Sequence, residues 1–374
     1  MKKITITCLV VVMALLTQLG AVAQADDLHA GSKAWVWTDQ PSAAEYIPSP
    51  YYQFNSKGAV NRVRRLGLGQ YQVIFPKLAA LGGTVQVSAY GGSHYCNVVS
   101  WGPGSEDLFV RVNCYAPNST LADGRFTALF YREQGQSIYN RAYVWADQET
   151  AVSYVPSTFY QWNTKGATNS VRRLSTGKYE VFLPAIEISP YLVNGGTALV
   201  SSYGSSPTRA EIDYWGKTAN GTYVVVSTYD FKGTPTDSKF TLSFSDDVGF
   251  GIRIPEDTLN MLGAYTWADQ PSAAEYLAYD FYNFNNFTGE ASDQALITRI
   301  GLGSYRVRFA GLKSFNKTTA LVSAYGRRGE YCTIGRWDGA GAGTDVYVSC
   351  FNAKGEPADN RFTLTYLTDE TVIW

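Results

Sequence analysis

The chain has 374 residues, with 31 basic and 32 acidic side chains and a formal net charge of −1 at pH 7. This near-neutral balance argues against nucleic acid or an anionic membrane as the main partner, because both require a basic surface. The 35 Gly and 27 Tyr, beside only three Met, favour strands and tight turns over helices.

The first 25 residues have the features of a secretory signal peptide. Lys2 and Lys3 form a basic start, an apolar run follows over Ile4–Leu16, and Ala23-Gln24-Ala25 fits a cleavage site. Without residues 1–25, 29 basic and 32 acidic residues remain (31 less Lys2 and Lys3), a net charge of −3. No later stretch approaches the roughly 18 apolar residues of a membrane helix. We therefore predict an exported protein that does not insert into a membrane.

One motif occurs three times in the rest of the chain. The segment Ala34–Gln40 returns as Ala142–Gln148, 108 residues later, and as Ala264–Gln270 after a further 122. Each copy continues with an aromatic-rich run ending in Asn, then Gly-x-Tyr-x-Val and Ser-x-Tyr-Gly. The three copies act as an internal alignment that shows how each unit is built.

Within each copy, apolar and polar residues alternate with a period of two. Tyr71, Val73 and Phe75 alternate with Gln70 and Gln72, and glycine-rich turns separate such runs. This pattern predicts an all-β protein of three tandem antiparallel β-sandwich-like modules. The predicted boundaries are 1–25 signal peptide, 26–134 module 1, 135–245 module 2, 246–263 linker and 264–374 module 3.

Four cysteines lie beyond the signal peptide, in two pairs that are each 18 positions apart. Repeats one and three carry Cys96, Cys114, Cys332 and Cys350, whereas repeat two has Ala210 and Thr228 at the matching positions. Loss of both members together is what a disulfide predicts, since an unpaired thiol is a liability in an exported protein. We therefore predict disulfides Cys96–Cys114 and Cys332–Cys350, each across a hairpin. A zinc site is disfavoured because no His recurs with the pairs: His94 precedes Cys96, but Glu330 stands at the matching position before Cys332.

The combined motif comprises Gly-x-Tyr-x-Val, Ser-Ala-Tyr-Gly, Tyr-Cys, a Trp, a second Cys and Asp-x-Arg-Phe. It resembles a repeat module of uncharacterised exported bacterial proteins. The likeness covers essentially the whole chain after the signal peptide and is best in repeats one and three, while repeat two departs from it in lacking the cysteines. The resemblance implies export, to the medium, the periplasm or the cell surface, and a bacterial origin.

Two sets of aspartates recur in all copies. Asp39, Asp147 and Asp269 follow a Trp, and the sequence favours a turn residue there over a calcium or sugar-hydroxyl ligand, because calcium requires several convergent oxygens. The second set comprises Asp123, Asp237 and Asp359. We expect one of these two sets to form structural ion pairs with the recurring Arg65, Arg173 and Arg299.

No set of residues predicts a catalytic, metal or cofactor site. The two histidines, His29 and His94, do not recur between copies, which argues against a triad or a His-based metal site. The adjacent acidic pairs do not recur either, so the paired carboxylates of a glycosidase are not indicated. The sequence therefore favours a protein without enzymatic activity.

Aromatic residues near the cysteine hairpins are the candidate ligand contacts. If each hairpin keeps a regular register around its cysteines, Trp101 lies directly opposite Phe109 on the face away from the cysteines. The same rule places Trp215 opposite Tyr223, and Trp337 opposite Asp345 with Tyr347 on the diagonal. Such rings either pack at the hairpin tip or under the next module, or form an exposed platform on which sugar rings stack. The platform hypothesis names Trp101, Phe109, Trp215, Tyr223, Trp337 and Tyr347 as ligand-binding residues.

The leading prediction is a binding protein that recognises a glycan or cell-surface polysaccharide through these repeated aromatic residues. The alternative is a structural or adhesive surface scaffold without a small-molecule ligand. A hydrolase acting through the unshared loops is a third, less favoured class.

Overall fold

A computed structural model describes residues 31–135, 140–187, 195–246, 261–285, 294–312, 316–340 and 343–371. Four predicted features lie outside these ranges: the predicted signal peptide (1–25), His29, most of the predicted 246–263 linker and the repeat-two insertion at 188–194. Within them, no helix has the length and apolarity needed to span a membrane.

The chain is all-β, as predicted, and each repeat folds into nine strands. Module 1 contains β1 (Ser32–Trp37), β2 (Glu45–Tyr46), β3 (Gln53–Asn55), β4 (Arg62–Gly67), β5 (Gln70–Phe75), β6 (Thr84–Tyr90), β7 (Tyr95–Pro103), β8 (Leu108–Tyr115) and β9 (Arg125–Arg132). Module 2 contains β10 (Arg141–Ala146), β11 (Ser153–Tyr154), β12 (Gln161–Asn163), β13 (Ser170–Ser175), β14 (Lys178–Pro184), β15 (Thr197–Tyr203), β16 (Arg209–Thr218), β17 (Gly221–Tyr229) and β18 (Lys239–Ser245). Module 3 contains β19 (Met261–Ala268), β20 (Glu275–Leu277), β21 (Asn283–Asn285), β22 (Leu296–Gly301), β23 (Ser304–Ala310), β24 (Thr318–Tyr325), β25 (Tyr331–Ala340), β26 (Gly343–Phe351) and β27 (Arg361–Thr371). Short 3₁₀ turns at Pro50–Tyr52 and Asp280–Tyr282 precede β3 and β21.

The modules are not strung side by side, because each of the three nine-stranded sheets is shared by two modules. One sheet has the order β12-β10-β18-β15-β7-β8-β5-β4-β2, so four strands of module 2 continue into five of module 1. The second has the order β11-β13-β14-β17-β16-β24-β27-β19-β21, and the third β20-β22-β23-β26-β25-β6-β9-β1-β3. Every module thus gives five strands to one sheet and four to another.

The strands pair antiparallel within a module and parallel where two modules join. At junction 1–2, β15 meets β7 with Tyr203 beside Val98, and at junction 2–3, β24 meets β16 with Tyr325 beside Ile212. Junction 3–1 closes the cycle, since Ile334 on β25 pairs with Tyr90 on β6. The three repeats therefore form a closed ring with a pseudo-threefold arrangement.

Each module has its own core between its two half-sheets. In module 1, Val36 on β1 packs in one cluster with Val73 on β5. The period-two alternation correctly predicted the inward residues, since Tyr71, Val73 and Phe75 are all buried. Burial of these apolar faces is the main source of stability for a sandwich of this kind.

Candidate functional site

The two predicted disulfides are present and tie adjacent strands. Cys96 bonds to Cys114 across β7 and β8, and Cys332 bonds to Cys350 across β25 and β26. In module 2, Ala210 lies directly opposite Thr228, as the internal alignment predicted.

The register beyond each disulfide differs from the prediction because every hairpin contains a β-bulge. After the pair Val98–Val112 the register shifts by one residue, so Trp101 lies opposite Val110 and not opposite Phe109. The same shift places Trp215 opposite Val224 and Trp337 opposite Val346. A one-residue shift turns a side chain to the other face of the sheet. All three indoles therefore point to the cysteine side, which is the core.

The predicted exposed platform is consequently wrong for the tryptophans. Trp101, Trp215 and Trp337 are each only 8% exposed. Their indole N–H groups donate hydrogen bonds to the carbonyl oxygens of Gly82 and Gly195 and to the Thr318 hydroxyl, at 2.8–3.1 Å. The packing alternative, in which the next module covers the ring, is the one the structure confirms.

The other members of the predicted sites are half-buried. Phe109 lies opposite Gly102, and Tyr223 lies opposite Gly216. Tyr347 lies opposite Arg336, whose guanidinium carbon is 4.2 Å from the ring centroid. Among the ring contacts of the described residues, none joins Phe109, Tyr223 or Tyr347 to the tryptophan of its predicted site.

Each buried tryptophan is the centre of an aromatic cluster at a junction, here called a junction cluster. At junction 1–2, the Trp101 ring lies 5.9 Å from Trp145, 5.4 Å from Tyr160 and 5.6 Å from Tyr203, all from module 2 and all edge-on. The equivalent clusters are Trp215 with Trp267, Tyr282 and Tyr325, and Trp337 with Trp37, Tyr52 and Tyr90. Edge-to-face contacts contribute about 0.5–1.5 kcal/mol each beyond area burial. The clusters thus fasten each module to the next.

The outer side of each junction cluster carries an exposed aromatic ring, which the register argument missed. Tyr51, Phe159 and Tyr279 are 56%, 60% and 59% exposed, and each lies in the segment that leads into a cluster tyrosine. The exposed aliphatic residues Ile47, Val155 and Leu277 recur four residues before Tyr51 and Phe159 and two before Tyr279. We call these three exposed surfaces the junction rims. The aromatic-rich run ending in Asn, visible in all three copies, was the sequence signal for them.

The Trp-x-Asp motif lies beside the junction clusters. A turn does follow it, closed by backbone bonds such as Ala43 N–H to the Gln40 carbonyl at 3.1 Å. One carboxylate oxygen of Asp39, Asp147 and Asp269 is buried without a hydrogen-bond partner in the described part of the chain. Burial raises the pKa of Asp147 and of Asp269. A turn is thus present as predicted, but backbone groups that begin one residue after the aspartate close it, and the aspartate side chain does not.

The second aspartate set forms the predicted ion pairs. Asp237 accepts from Arg173 at 2.8 Å, from the Gly177 N–H at 2.8 Å and from the Tyr179 hydroxyl at 3.0 Å. The Arg173 guanidinium holds the pKa of Asp237 below its usual range. Arg65–Asp123 and Arg299–Asp359 repeat this arrangement at 2.9 Å. These pairs fix the turn between two strands of each module.

The His94 ring makes a hydrogen bond to the backbone of its own module. Its Nε2 lies 2.8 Å from the Arg125 carbonyl oxygen, and burial lowers the pKa of the ring. Across the described ranges, no group of three or more His, Cys, Asp or Glu side chains is arranged to hold a metal ion.

Comparison with known proteins adds no relative: no family model, no curated protein and no solved structure matches this chain.

Proposed function

We propose that this is an exported protein, bacterial in origin, that binds a glycan or cell-surface polysaccharide through its three junction rims. The observation that carries the proposal is an exposed aromatic ring near the cluster tyrosine of every module, with Tyr51 and Phe159 one residue before that tyrosine and Tyr279 three residues before it. Large aromatic rings are usually buried, so their repeated exposure points to a contact surface.

The chemistry of the rims suits a sugar. An aromatic face offers a flat apolar surface to the C–H groups of a saccharide ring, and a tyrosine hydroxyl at its edge adds a donor and an acceptor. The mildly acidic chain gives little attraction to polyanions, which favours a neutral polymer over an acidic one.

The ring arrangement supports a polymeric ligand. Three weak sites held on one rigid body raise avidity by about 10²–10⁴ over a single site when the ligand spans them. Export is supported by the signal-peptide features and by the two disulfides, which persist in oxidising compartments.

A polysaccharide binding screen with the mature chain tests the proposal. The triple variant Y51A/F159A/Y279A removes the exposed rings and should weaken polymer binding at least tenfold. The matched control is L66A/L174A/I300A, which removes exposed apolar side chains that also recur in every module but lie on β4, β13 and β22. Equal loss in both triple variants, or no loss in the first, would contradict the proposal.

The closed ring also favours the alternative of a structural or adhesive scaffold. A cycle of shared sheets leaves no module free to detach, which suits a protease-resistant surface component. Sedimentation analysis that found self-association of the mature chain, together with an empty binding screen, would favour this second function.

A further inference from the structure

Junction 3–1 lacks the glycine pair of the other two junctions, because Lys317-Thr318 stands where they have Gly82-Gly83 and Gly195-Gly196. The strand pairings show that Thr84, Thr197 and Thr319 are equivalent residues. Two residues before them lie Gly82 in module 1, Gly195 in module 2 and Lys317 in module 3.

The two glycines allow the neighbouring module to approach closely. A Cβ on Gly82 would lie 2.0 Å from the Phe159 carbonyl oxygen, so a side chain cannot be accommodated there. A Cβ on Gly195 would lie 2.4 Å from the Phe281 ring. Junction 1–2 is therefore closed at this point against the Phe159 carbonyl group, and junction 2–3 against the Phe281 ring.

At junction 3–1 a lysine side chain occupies this position. Lys317 has φ +50°, donates to Asp369 at 2.8 Å, and places its Nζ 5.7 Å from the centroid of the Phe54 ring in module 1. The hydrogen bond of the central tryptophan also differs at this junction. The Trp337 indole donates to the Thr318 hydroxyl, whereas Trp101 and Trp215 donate to glycine carbonyls.

A cleft of about 410 Å³ lies at this junction. Its walls are mainly apolar, formed by Ile47, Pro50, Phe54 and Val60, and Lys317 closes one side. The volume falls within the range of about 300–1,000 Å³ that is usual for small-molecule sites. Pro50, which lines the cleft, directly precedes Tyr51, the exposed ring of the same junction rim.

We infer that this cleft holds one residue of a neutral saccharide and is the principal subsite of the glycan-binding surface, an inference that rests on the proposed function. The apolar walls fit the C–H face of a sugar ring. Lys317 lines the cleft and carries three N–H donors, of which Asp369 takes one, so the ammonium can also donate to a sugar hydroxyl. Because Asp369 neutralises the ammonium, the site selects hydroxyls and not a carboxylate.

The amide side chains in the cleft are already engaged. Gln53 donates to the Pro48 carbonyl at 2.6 Å, and Asn55 donates to Asn61 and to the Pro76 carbonyl at 3.0 Å. They line the cleft, and the hydrogen bonding to ligand is assigned to Lys317.

A printed array of neutral and uronate oligosaccharides, matched in length, tests the inference on the whole mature chain. K317G restores the residue of the other two modules, K317M removes the ammonium group with its N–H donors but keeps an unbranched apolar side chain, and V60W fills the cleft from an exposed position. We expect short neutral oligosaccharides to bind the parent, and each variant to lose at least tenfold in affinity. F159A/Y279A should keep this binding and lose only the added avidity for a polymer. Near-UV circular dichroism checks that the junction remains folded.

The outcomes separate the two proposals. If V60W, K317M and K317G bind short neutral oligosaccharides as the parent does, or if uronates bind better, the cleft inference fails. If polymer binding then still depends on Tyr51, Phe159 and Tyr279, the proposed function stands without it. If the parent binds nothing on the array or in the polysaccharide screen, both fail.

Discussion

The hydroxyl of Ser201 in module 2 accepts the backbone N–H of Val87 in module 1 at 2.9 Å. The modules share a single parallel bridge at each junction, so beyond it a strand edge needs other partners. The same bond occurs cyclically, from Val200 N–H to Ser323 and from Val322 N–H to Ser88, both at 2.9 Å. A ring of three serines thus provides a partner for one backbone N–H group at each of the three junctions.

The first prediction concerns this ring. S201A should lower the free energy of unfolding by about 1–3 kcal/mol, because it leaves the Val87 amide buried without a partner. Urea denaturation followed by tryptophan fluorescence measures the change. S100A, a substitution of a half-buried serine on β7, is the control and should change little. Equal stability of S201A and the parent would show that the serine ring is dispensable.

The second prediction concerns the module that lacks a disulfide. Ala210 and Thr228 lie opposite each other, in the same register as the cysteine pairs of modules 1 and 3. The variant A210C/T228C should therefore form a third disulfide, adding roughly 3 kcal/mol in the chain-entropy model. Non-reducing peptide mapping and denaturation with and without reductant check this. Free thiols in the double variant would contradict the register.

Much of the fold could be predicted from the sequence, because the signals were local or repeated. Period-two alternation located the core strands, and the joint absence of cysteines at Ala210 and Thr228 identified the disulfides. The sharing of sheets between modules left no such signal, since one parallel bridge, such as Val98 with Tyr203, requires only backbone groups. The bulge after Val98 was equally hidden, and it reversed the predicted exposure of Trp101.

The third prediction follows from the position of the buried tryptophans. W101A should destabilise the protein by about 3–5 kcal/mol, because it removes a buried indole and leaves a cavity at junction 1–2. W101F should cost less, since it keeps part of the ring packing against Trp145 and Tyr160. Thermal and urea unfolding of both variants measure this. A W101A variant as stable as the parent would mean that the ring is not part of the packed junction.

The last prediction concerns a buried carboxyl at junction 2–3. Glu211 is 1% exposed, and its Oε1 accepts the backbone N–H groups of Arg328 at 3.0 Å and Gly329 at 3.4 Å from module 3. Burial raises the pKa of Glu211 to about 8 from an ordinary value of 4.5. The folded state therefore binds this proton more tightly than the unfolded chain does. The resulting stabilisation is complete below pH 4.5, declines as the pH rises, and is lost above about pH 8.

The slope from this group is at most about 1.4 kcal/mol per pH unit between those limits. E211Q keeps an oxygen for the two N–H groups and cannot ionise, so it should flatten the fall in stability between pH 5 and 8 and be relatively more stable at pH 9. D230N is the matched control, because Asp230 is a half-buried carboxylate on the same module that bonds only within its own turn. Urea denaturation at half-unit pH steps measures the slopes. A parent whose stability does not fall across this window, or an E211Q slope equal to that of the parent, would show that Glu211 is already ionised in the folded protein.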